Sequence, residues 1–126
     1  MQVDNRDYKS LNVWKESRKL VKMVYVLTTK FPDSEKYGLT SQMRRCAVSI
    51  PSNIAEGIGR SSKKETKQFF FVAKGSVYEL ETQLYLSEDL NFAPFYQTEA
   101  IHAQLTEVRK LLIGYIKFLE REISSN

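Results

Sequence analysis

Polar residues recur along one side of a helix-patterned segment in the middle of the chain. At spacings of four, four, three and four, the row contains Arg45, Ser49, Asn53, Glu56 and Arg60. A second row, Ser76, Glu79 and Gln83, follows on the next helix-patterned segment. Helix residues three and four apart share a face, so two such rows could meet and form a small polar pocket or a nucleic-acid contact. The alternative, which we favour, is a hydrogen-bonded polar seam that fixes helix register.

Two features of this segment sharpen the expectation. Arg45 is placed to pair with Glu79 if the rows meet. Pro51 lies inside the helical pattern, where it removes the hydrogen bond to the carbonyl of Ala47. A proline inside a helix costs about 3 kcal/mol, so tertiary structure or function must fix this position. We expect the Asn53 amide to bridge backbone groups that Pro51 loosens.

Basic residues form two groups with little nearby acid. The first lies on the first helical segment, where Glu16 is the neighbouring acid, and contains Lys15, Arg18, Lys19 and Lys22. The second surrounds the start of the third segment and contains Arg60, Lys63, Lys64 and Lys67. Cations at a helix N-terminus oppose the helix dipole, which indicates an anionic partner. These eight residues are the predicted nucleic-acid contacts, and an ordinary solvated face is the alternative.

Catalytic chemistry has little support in the sequence. The chain has one histidine, His102, and one cysteine, Cys46, so neither residue type can form a cluster. Cys46 lies on an apolar stripe and is expected in the core, while His102 is expected at the surface or hydrogen-bonded. Gly57 and Gly59 lack the strand, turn and helix context of a phosphate-binding loop. We therefore predict no enzyme activity, cofactor or metal site.

Size and composition describe one ordinary globular domain, residues 1–126. Hydrophobic residues make up 42% and charged residues 27%, with a net charge of +4 and a pI near 9.2. This modest positive charge permits a polyanionic partner without requiring one. The single cysteine excludes an intramolecular disulfide. We see no signal peptide and no apolar run near the roughly 20 residues that cross a bilayer, and we predict a cytoplasmic location.

Apolar residues recur with a helical period nearly everywhere. The spacing predicts an all-α, antiparallel, up-down-up-down four-helix bundle. Its helices are expected at about residues 13–30, 40–57, 63–90 and 95–123. Asn12 is a predicted cap of the first helix and Thr40 or Ser41 of the second. Ser62 with Glu65 has the form of a capping box for the third.

The third helix is too apolar for a lone bundle. Phe69, Phe70 and Phe71 are consecutive, and successive helix residues turn by about 100°, so the three rings cannot all face one interior. We therefore predict a homo-oligomer in which another subunit covers part of this surface.

Several ordered motifs make the chain resemble a known family. They are Leu11-Asn12-Val13-Trp14-Lys15, Glu35-Lys36-Tyr37-Gly38-Leu39, Gln42-Met43-Arg44-Arg45, Ser49-Ile50-Pro51-Ser52-Asn53-Ile54-Ala55-Glu56-Gly57 and Ala73-Lys74-Gly75-Ser76-Val77-Tyr78-Glu79-Leu80-Glu81. With these motifs the chain resembles the four-helix bundle proteins encoded in intervening sequences of bacterial 23S rRNA genes. The resemblance extends from Tyr8 to about Leu119.

The resemblance implies a bundle assembled as a ring-like homopentamer. It also implies similarity to the accessory variability proteins of diversity-generating retroelements, which bind nucleic acid and a reverse transcriptase through a basic surface. It supplies no catalytic residues. Our prediction is a non-enzymatic, oligomeric module that binds nucleic acid without sequence specificity. The alternative is a protein-interaction scaffold that binds a polymerase or another polypeptide. In either case we predict no membrane partner.

Overall fold

Four long helices account for most of residues 7–125, the part of the chain that the computed structural model describes. They are α1 (Asn12–Thr28), α2 (Leu39–Ile58), α3 (Lys63–Asp89) and α4 (Phe95–Ser124). Short 3-10 turns, Tyr8–Ser10 and Asp33–Glu35, precede α1 and α2, and the described residues contain no strand. The predicted four-helix, all-α architecture is confirmed.

Each helix packs against its two neighbours around the bundle, α1 on α2, α2 on α3, α3 on α4 and α4 on α1. Neighbouring helices run in opposite directions, as the α2–α3 contacts illustrate. Thr66 near the start of α3 donates to the Gly57 carbonyl near the end of α2, while Cys46 contacts Ser76 farther from that turn. No Cα atom of α1 lies within 8 Å of a Cα atom of α3, so the two helices are diagonal in the bundle and their outer faces point in opposite directions.

The core contains the residues that the helical period places on the inner faces. Leu20, Ile50, Leu80 and Leu112, one from each helix, are fully buried. Removing such side chains from water stabilises the fold by about 1.5–3 kcal/mol each. The fit between α2 and α3 is especially close at Gly57, where an added Cβ would lie 2.8 Å from Phe69 Cβ. A side chain at this position would force the helices apart.

The predicted cap of α3 is confirmed, since the Ser62 hydroxyl accepts a hydrogen bond from the Glu65 N–H at 3.2 Å. The predicted cap of α1 is wrong. Asn12 is already the first helical residue, and Leu11 occupies the cap position without a side-chain hydrogen bond. The Leu11 carbonyl accepts from the amides of Trp14 and Lys15, so the backbone of the preceding turn begins the helix.

The predicted caps of α2 are also wrong. Thr40 and Ser41 lie inside the helix, which begins at Leu39 after Gly38. The carboxylate of Glu35 takes the capping role, because its Oε1 accepts from the Leu39 N–H at 2.9 Å. A carboxylate near a helix N-terminus is also favoured by the helix dipole.

The three consecutive phenylalanines divide as the helical rotation requires. Phe70 is fully buried and stacks on Tyr115 with ring centroids 4.7 Å apart, Phe69 is half-buried and Phe71 is exposed. Other large exposed apolar residues include Val72, Tyr78, Tyr85, Leu86, Phe95 and Tyr96. None of the helices within residues 7–125 has the length and apolar character needed to cross a membrane.

Candidate functional site

The two polar rows meet across α2 and α3, but only in part. The Ser49 and Ser76 hydroxyl oxygens are 2.7 Å apart, and the Cys46 thiol donates to the Ser76 carbonyl at 3.1 Å. Asn53 Nδ2 donates to the Ser49 carbonyl at 2.7 Å. The first two bonds join the two helices at one register, and the third lies within α2, which supports the interpretation of the seam as a structural network.

Other expected contacts of the seam are missing. Arg45 and Glu79 are both exposed, and no ion pair joins them in the described structure. Water solvates each charge well at such positions, so little is gained by pairing. The Asn53 amide bonds to the Ser49 carbonyl rather than to the Ala47 carbonyl that Pro51 leaves without its usual donor.

Cys46 is a buried core thiol, as its position on the apolar stripe predicts. Burial, reinforced by the nearby negative charge of Glu79, raises the pKa of the Cys46 thiol to about 12. Glu79 also lies 3.4 Å from the amide nitrogen of the buried Gln83, whose oxygen has no hydrogen-bond partner in the described structure. A thiol with so high a pKa is not a nucleophile at neutral pH.

The basic residues of α1 form an open, charged face. Lys15, Arg18, Lys19 and Lys22 are all exposed. Lys19 forms an ion pair with Glu16 at 2.9 Å, whereas the other three have no acidic partner within residues 7–125. We call Lys15, Arg18 and Lys22 the free cations of α1.

A shallow groove of about 370 Å³ lies between α1 and α2 beside these cations. Arg18 and Lys22 flank it, and Val21, Tyr25, Val48 and Pro51 complete its lining. Tyr25 is 39% exposed, and the guanidinium carbon of Arg44 lies 4.6 Å from its ring centroid.

Arg18 similarly lies 4.9 Å from the Trp14 ring. The groove thus combines the cations Arg18 and Lys22 with the ring of Tyr25, and cations beside aromatic rings are found in single-stranded nucleic-acid sites. Arg44 and Tyr25 were missing from the sequence-predicted site. Their proximity depends on the packing of α1 against α2, which residue spacing within one helix does not show.

The second basic group differs, because acidic residues accompany most of its members. Arg60 pairs with Glu56 at 2.9 Å and lies over the Phe69 ring at 4.6 Å. The other contacts cross to α4: Lys63 is 3.7 Å from Glu122 and Lys67 is 3.8 Å from Glu120. Lys64 is exposed, with no ion pair in the described part of the chain.

The two basic groups lie at the same end of the bundle, because α1 and α3 both begin there. They do not form one continuous surface, since α1 and α3 are diagonal in the bundle. The eight sequence-predicted residues therefore divide into an open face on α1 and a largely neutralised cluster at the start of α3.

His102 is hydrogen-bonded, which is one of the two alternatives that the sequence left open. Its Nε2 is 2.8 Å from Glu88 Oε2, and the Thr98 hydroxyl donates to the same oxygen at 2.6 Å. Burial tends to raise the pKa of Glu88, but the hydrogen bonds from Thr98 and His102 outweigh it, and the pKa is lowered. The ring of Tyr85 covers the imidazole with centroids 4.6 Å apart.

Glu99 and His102 have the Glu-x-x-His spacing that some metal-binding bundles use. The imidazole nitrogen, however, faces Glu88 on α3, and Glu99 is exposed. Within residues 7–125 no group of three or more His, Cys, Asp or Glu residues could hold a metal ion.

Comparison with known proteins identifies the family. The family model described as 23S rRNA-intervening sequence protein matches residues 9–114. The chain belongs to this family. A crystal structure of a protein of unknown function from the S23 ribosomal protein family of Bacteroides thetaiotaomicron is similar to it, with a TM-score of 0.75 and 25% sequence identity. The match covers 83% of this chain and 98% of that one. No curated protein matches the chain.

Proposed function

We propose that this member of the 23S rRNA-intervening sequence protein family is a non-enzymatic, self-associating module that binds nucleic acid without sequence preference. The observation that carries the proposal is the group of free cations of α1, Lys15, Arg18 and Lys22, beside a groove to which Tyr25 contributes an aromatic ring. The family description names the genes in which such proteins are encoded and not a ligand, so the chemistry of this face supports the proposal.

The spacing of the positive charges on α1 destabilises the helix. Arg18 and Lys22 are four residues apart, and Lys15 and Lys19 are also four apart. Like charges at this spacing destabilise a helix by about 0.2–0.5 kcal/mol per pair. A bound phosphate backbone would remove that repulsion and release counterions, which drives the association of basic proteins with nucleic acid.

The groove adds a way to hold unpaired bases. Tyr25 offers an exposed ring next to Lys22, and Arg44 lies over that ring. Stacking on an aromatic ring contributes about 1–3 kcal/mol per base and accepts any base. We therefore expect a preference for single strands over duplex, without preference for sequence.

Self-association completes the proposal. The resemblance to the family implies a pentameric ring, which would repeat the α1 face in every subunit and multiply the number of phosphate contacts. The exposed apolar residues of α3 and α4 provide surface for contacts between subunits. We propose a cytoplasmic location, where such a module meets nucleic acid.

The test is a titration of fluorescent RNA and DNA oligonucleotides of random sequence at several salt concentrations. We expect log Kd to rise with the logarithm of salt concentration, with a slope set by the number of phosphate contacts. Tyr25→Ala should remove the preference for single strands while the slope remains. Affinity that does not change between 50 and 200 mM salt would contradict the proposal.

A protein-interaction scaffold is the second candidate, and the charge distribution supports it. Residues 75–108 contain six acidic residues and no lysine or arginine. Phe95 and Tyr96 in this stretch are 59% and 77% exposed. Such a surface fits a basic polypeptide. Reversing the charges of Lys15, Arg18 and Lys22 would leave binding to that polypeptide unchanged and abolish binding to nucleic acid.

A further inference from the structure

The outer side of α3 carries a regular row of exposed residues, which we call the outer stripe. At alternating spacings of four and three, it contains Lys64, Gln68, Phe71, Gly75, Tyr78, Thr82, Tyr85 and Asp89. All eight are exposed. Alternation of four and three is the seven-residue repeat with which helices pack against one another in coiled coils. The stripe has that repeat on the side of α3 that faces away from its own bundle.

The aromatic residues of the stripe recur every seven positions. Phe71, Tyr78 and Tyr85 are 42%, 45% and 52% exposed. Basic groups of the same chain hold each ring: Lys74 over Phe71, Arg109 over Tyr78 and His102 against Tyr85. The rings are therefore fixed in place while much of their apolar surface remains in water, as in the unoccupied half of a helix–helix interface.

Gly75 lies between two of these rings, in the middle of α3. A Cβ added there would meet no atom of the chain within 4 Å. Glycine is among the poorest helix formers, and here neither a turn nor close packing within the chain requires it. Its absent side chain leaves a notch in the outer stripe between Phe71 and Tyr78.

We propose that the outer stripe packs against the same stripe of a second copy of this chain, with the two α3 helices antiparallel across a two-fold axis near Ser76 and Val77. The inference rests on the self-association in the proposed function and names one contact by which copies of the chain, or rings of copies, associate. Each layer of the contact joins one residue from each copy: Gly75 with Tyr78, Phe71 with Thr82, Gln68 with Tyr85, and Lys64 with Asp89.

The sizes of the paired residues support the antiparallel arrangement. The Tyr78 ring would fill the notch at Gly75, and Phe71 would meet the small Thr82. Alternation of large and small residues across facing positions is what close helix packing requires. The Thr82 hydroxyl already donates to the Tyr78 carbonyl at 3.0 Å, so its burial leaves no donor without a partner. A parallel pair in register would instead set Tyr78 against Tyr78 and Gly75 against Gly75.

Charge gives an independent reason. The segment 63–74 of α3 contains four lysines and one acid, whereas the segment 75–89 contains four acids and no basic residue. Lys64 and Asp89 at the two ends of the stripe form no ion pair within residues 7–125. Both charges oppose the dipole of their own helix, and an antiparallel second α3 would bring each of them next to the opposite charge.

The contact is compatible with the rest of the proposed function. Because α1 is diagonal to α3, a pair joined through α3 leaves the α1 face of each copy directed away from the contact. A two-fold contact closes at two copies. In a ring of five it would therefore join one ring to another rather than form the ring itself.

A charge exchange tests the geometry. K64D places two acids in each end layer, and D89K places two lysines there, so each change should weaken self-association at least tenfold by sedimentation. The double variant K64D/D89K restores opposite charges in both layers and should recover the wild-type mass. Single changes that leave the mass unaltered, or a double variant no better than the singles, would overturn the proposal.

A matched pair of glycine variants tests the notch. G75L should keep the Tyr78 ring of the second copy out of the notch and thereby lower the mass of the assembly. G114L adds the same side chain at another helix position where an added Cβ meets nothing, and it should leave the mass unchanged. Circular dichroism verifies that both fold. If the two variants behave alike, the notch has no part in assembly.

Disulfide cross-linking tests whether the two α3 helices are antiparallel. Under mild oxidation, a mixture of K64C and D89C chains should form a disulfide-linked dimer, whereas either chain alone should not. A cross-link by K64C alone would show a parallel pair and overturn the proposal. A wild-type protein that sediments as a monomer would refute the self-association in the proposed function as well. An assembly indifferent to every stripe variant would refute the stripe alone.

Discussion

The two basic groups at one end of this bundle contain four cations each, yet they differ in what surrounds those cations. On α1, Lys15, Arg18 and Lys22 have no acidic partner in the described structure. At the start of α3, Arg60 pairs with a residue of α2, and Lys63 and Lys67 lie close to two acids at the end of α4. The first group is available to an external anion, whereas the second already interacts with its own chain.

This difference teaches that the number of basic residues is a poor measure of binding charge. The two groups are equally basic in sequence, but α4 contributes Glu120 and Glu122 to the second from more than fifty positions along the chain. A phosphate at that cluster must compete with carboxylates already in place. At α1 it would meet cations that otherwise repel one another.

The largest expected effect comes from neutralising each group in turn. The variant K15Q/R18Q/K22Q should lose at least about 100-fold in affinity for single-stranded nucleic acid at 50 mM salt, and its salt slope should fall by about two, because each lost phosphate contact on a single strand lowers the slope by about 0.7. The variant R60Q/K63Q/K67Q removes the same charge and should lose less than about fivefold, since its cations are already paired. Fluorescence anisotropy measures both, and equal losses would remove the distinction between the groups.

A smaller effect is expected from freeing the paired cations. The variant E56Q/E120Q removes the partners of Arg60 and Lys67. We expect affinity for nucleic acid to increase about tenfold at low salt, because two further cations can then contact phosphate. The control E99Q/E107Q makes the same change in net charge at two exposed acids of α4 that pair with no cation in the described structure. If the control variant gains as much affinity, the gain comes from net charge alone and not from the release of Arg60 and Lys67.

The sequence predicted the architecture well because the apolar residues of each helix recur with the period of the face that the helix buries. The apolar period identified four helices whose ends lie within two residues of those observed, and Ser62 capped α3 as its spacing indicated. Errors occurred at the starts of α1 and α2. There the first amides bond to the Leu11 and Gly38 carbonyls and, in α2, to the Glu35 side chain, all supplied by the preceding turn.

The candidate site was less predictable, because its properties depend on contacts between helices. Spacing along α2 and α3 placed Ser49 and Ser76 on two polar rows, and in the structure the two hydroxyls meet, but the spacing also suggested an ion pair between Arg45 and Glu79 that does not form. Spacing along α1 found its basic face and missed Arg44, which reaches the Tyr25 ring from α2. The length and direction of a side chain across an interface are set by packing, and one helix alone does not contain that information.

The smallest effect that separates the two groups is on stability, and its sign should differ between them. Lys22 lies three and four residues from Lys19 and Arg18, so K22Q removes only repulsion within α1 and should raise the free energy of unfolding by about 0.2–0.5 kcal/mol. Lys67 lies near Glu120 across a partly exposed interface, so K67Q should lower it by up to about 1 kcal/mol. Urea unfolding at low ionic strength measures both changes, and 1 M salt should remove both, because exposed charges are then screened. Opposite signs would show that Lys67 of α3 stabilises the fold, whereas Lys22 of α1 destabilises it. Equal signs would show that the two groups contribute to the fold in the same way, and the free cations of α1 would then give no reason of their own to expect an external anion.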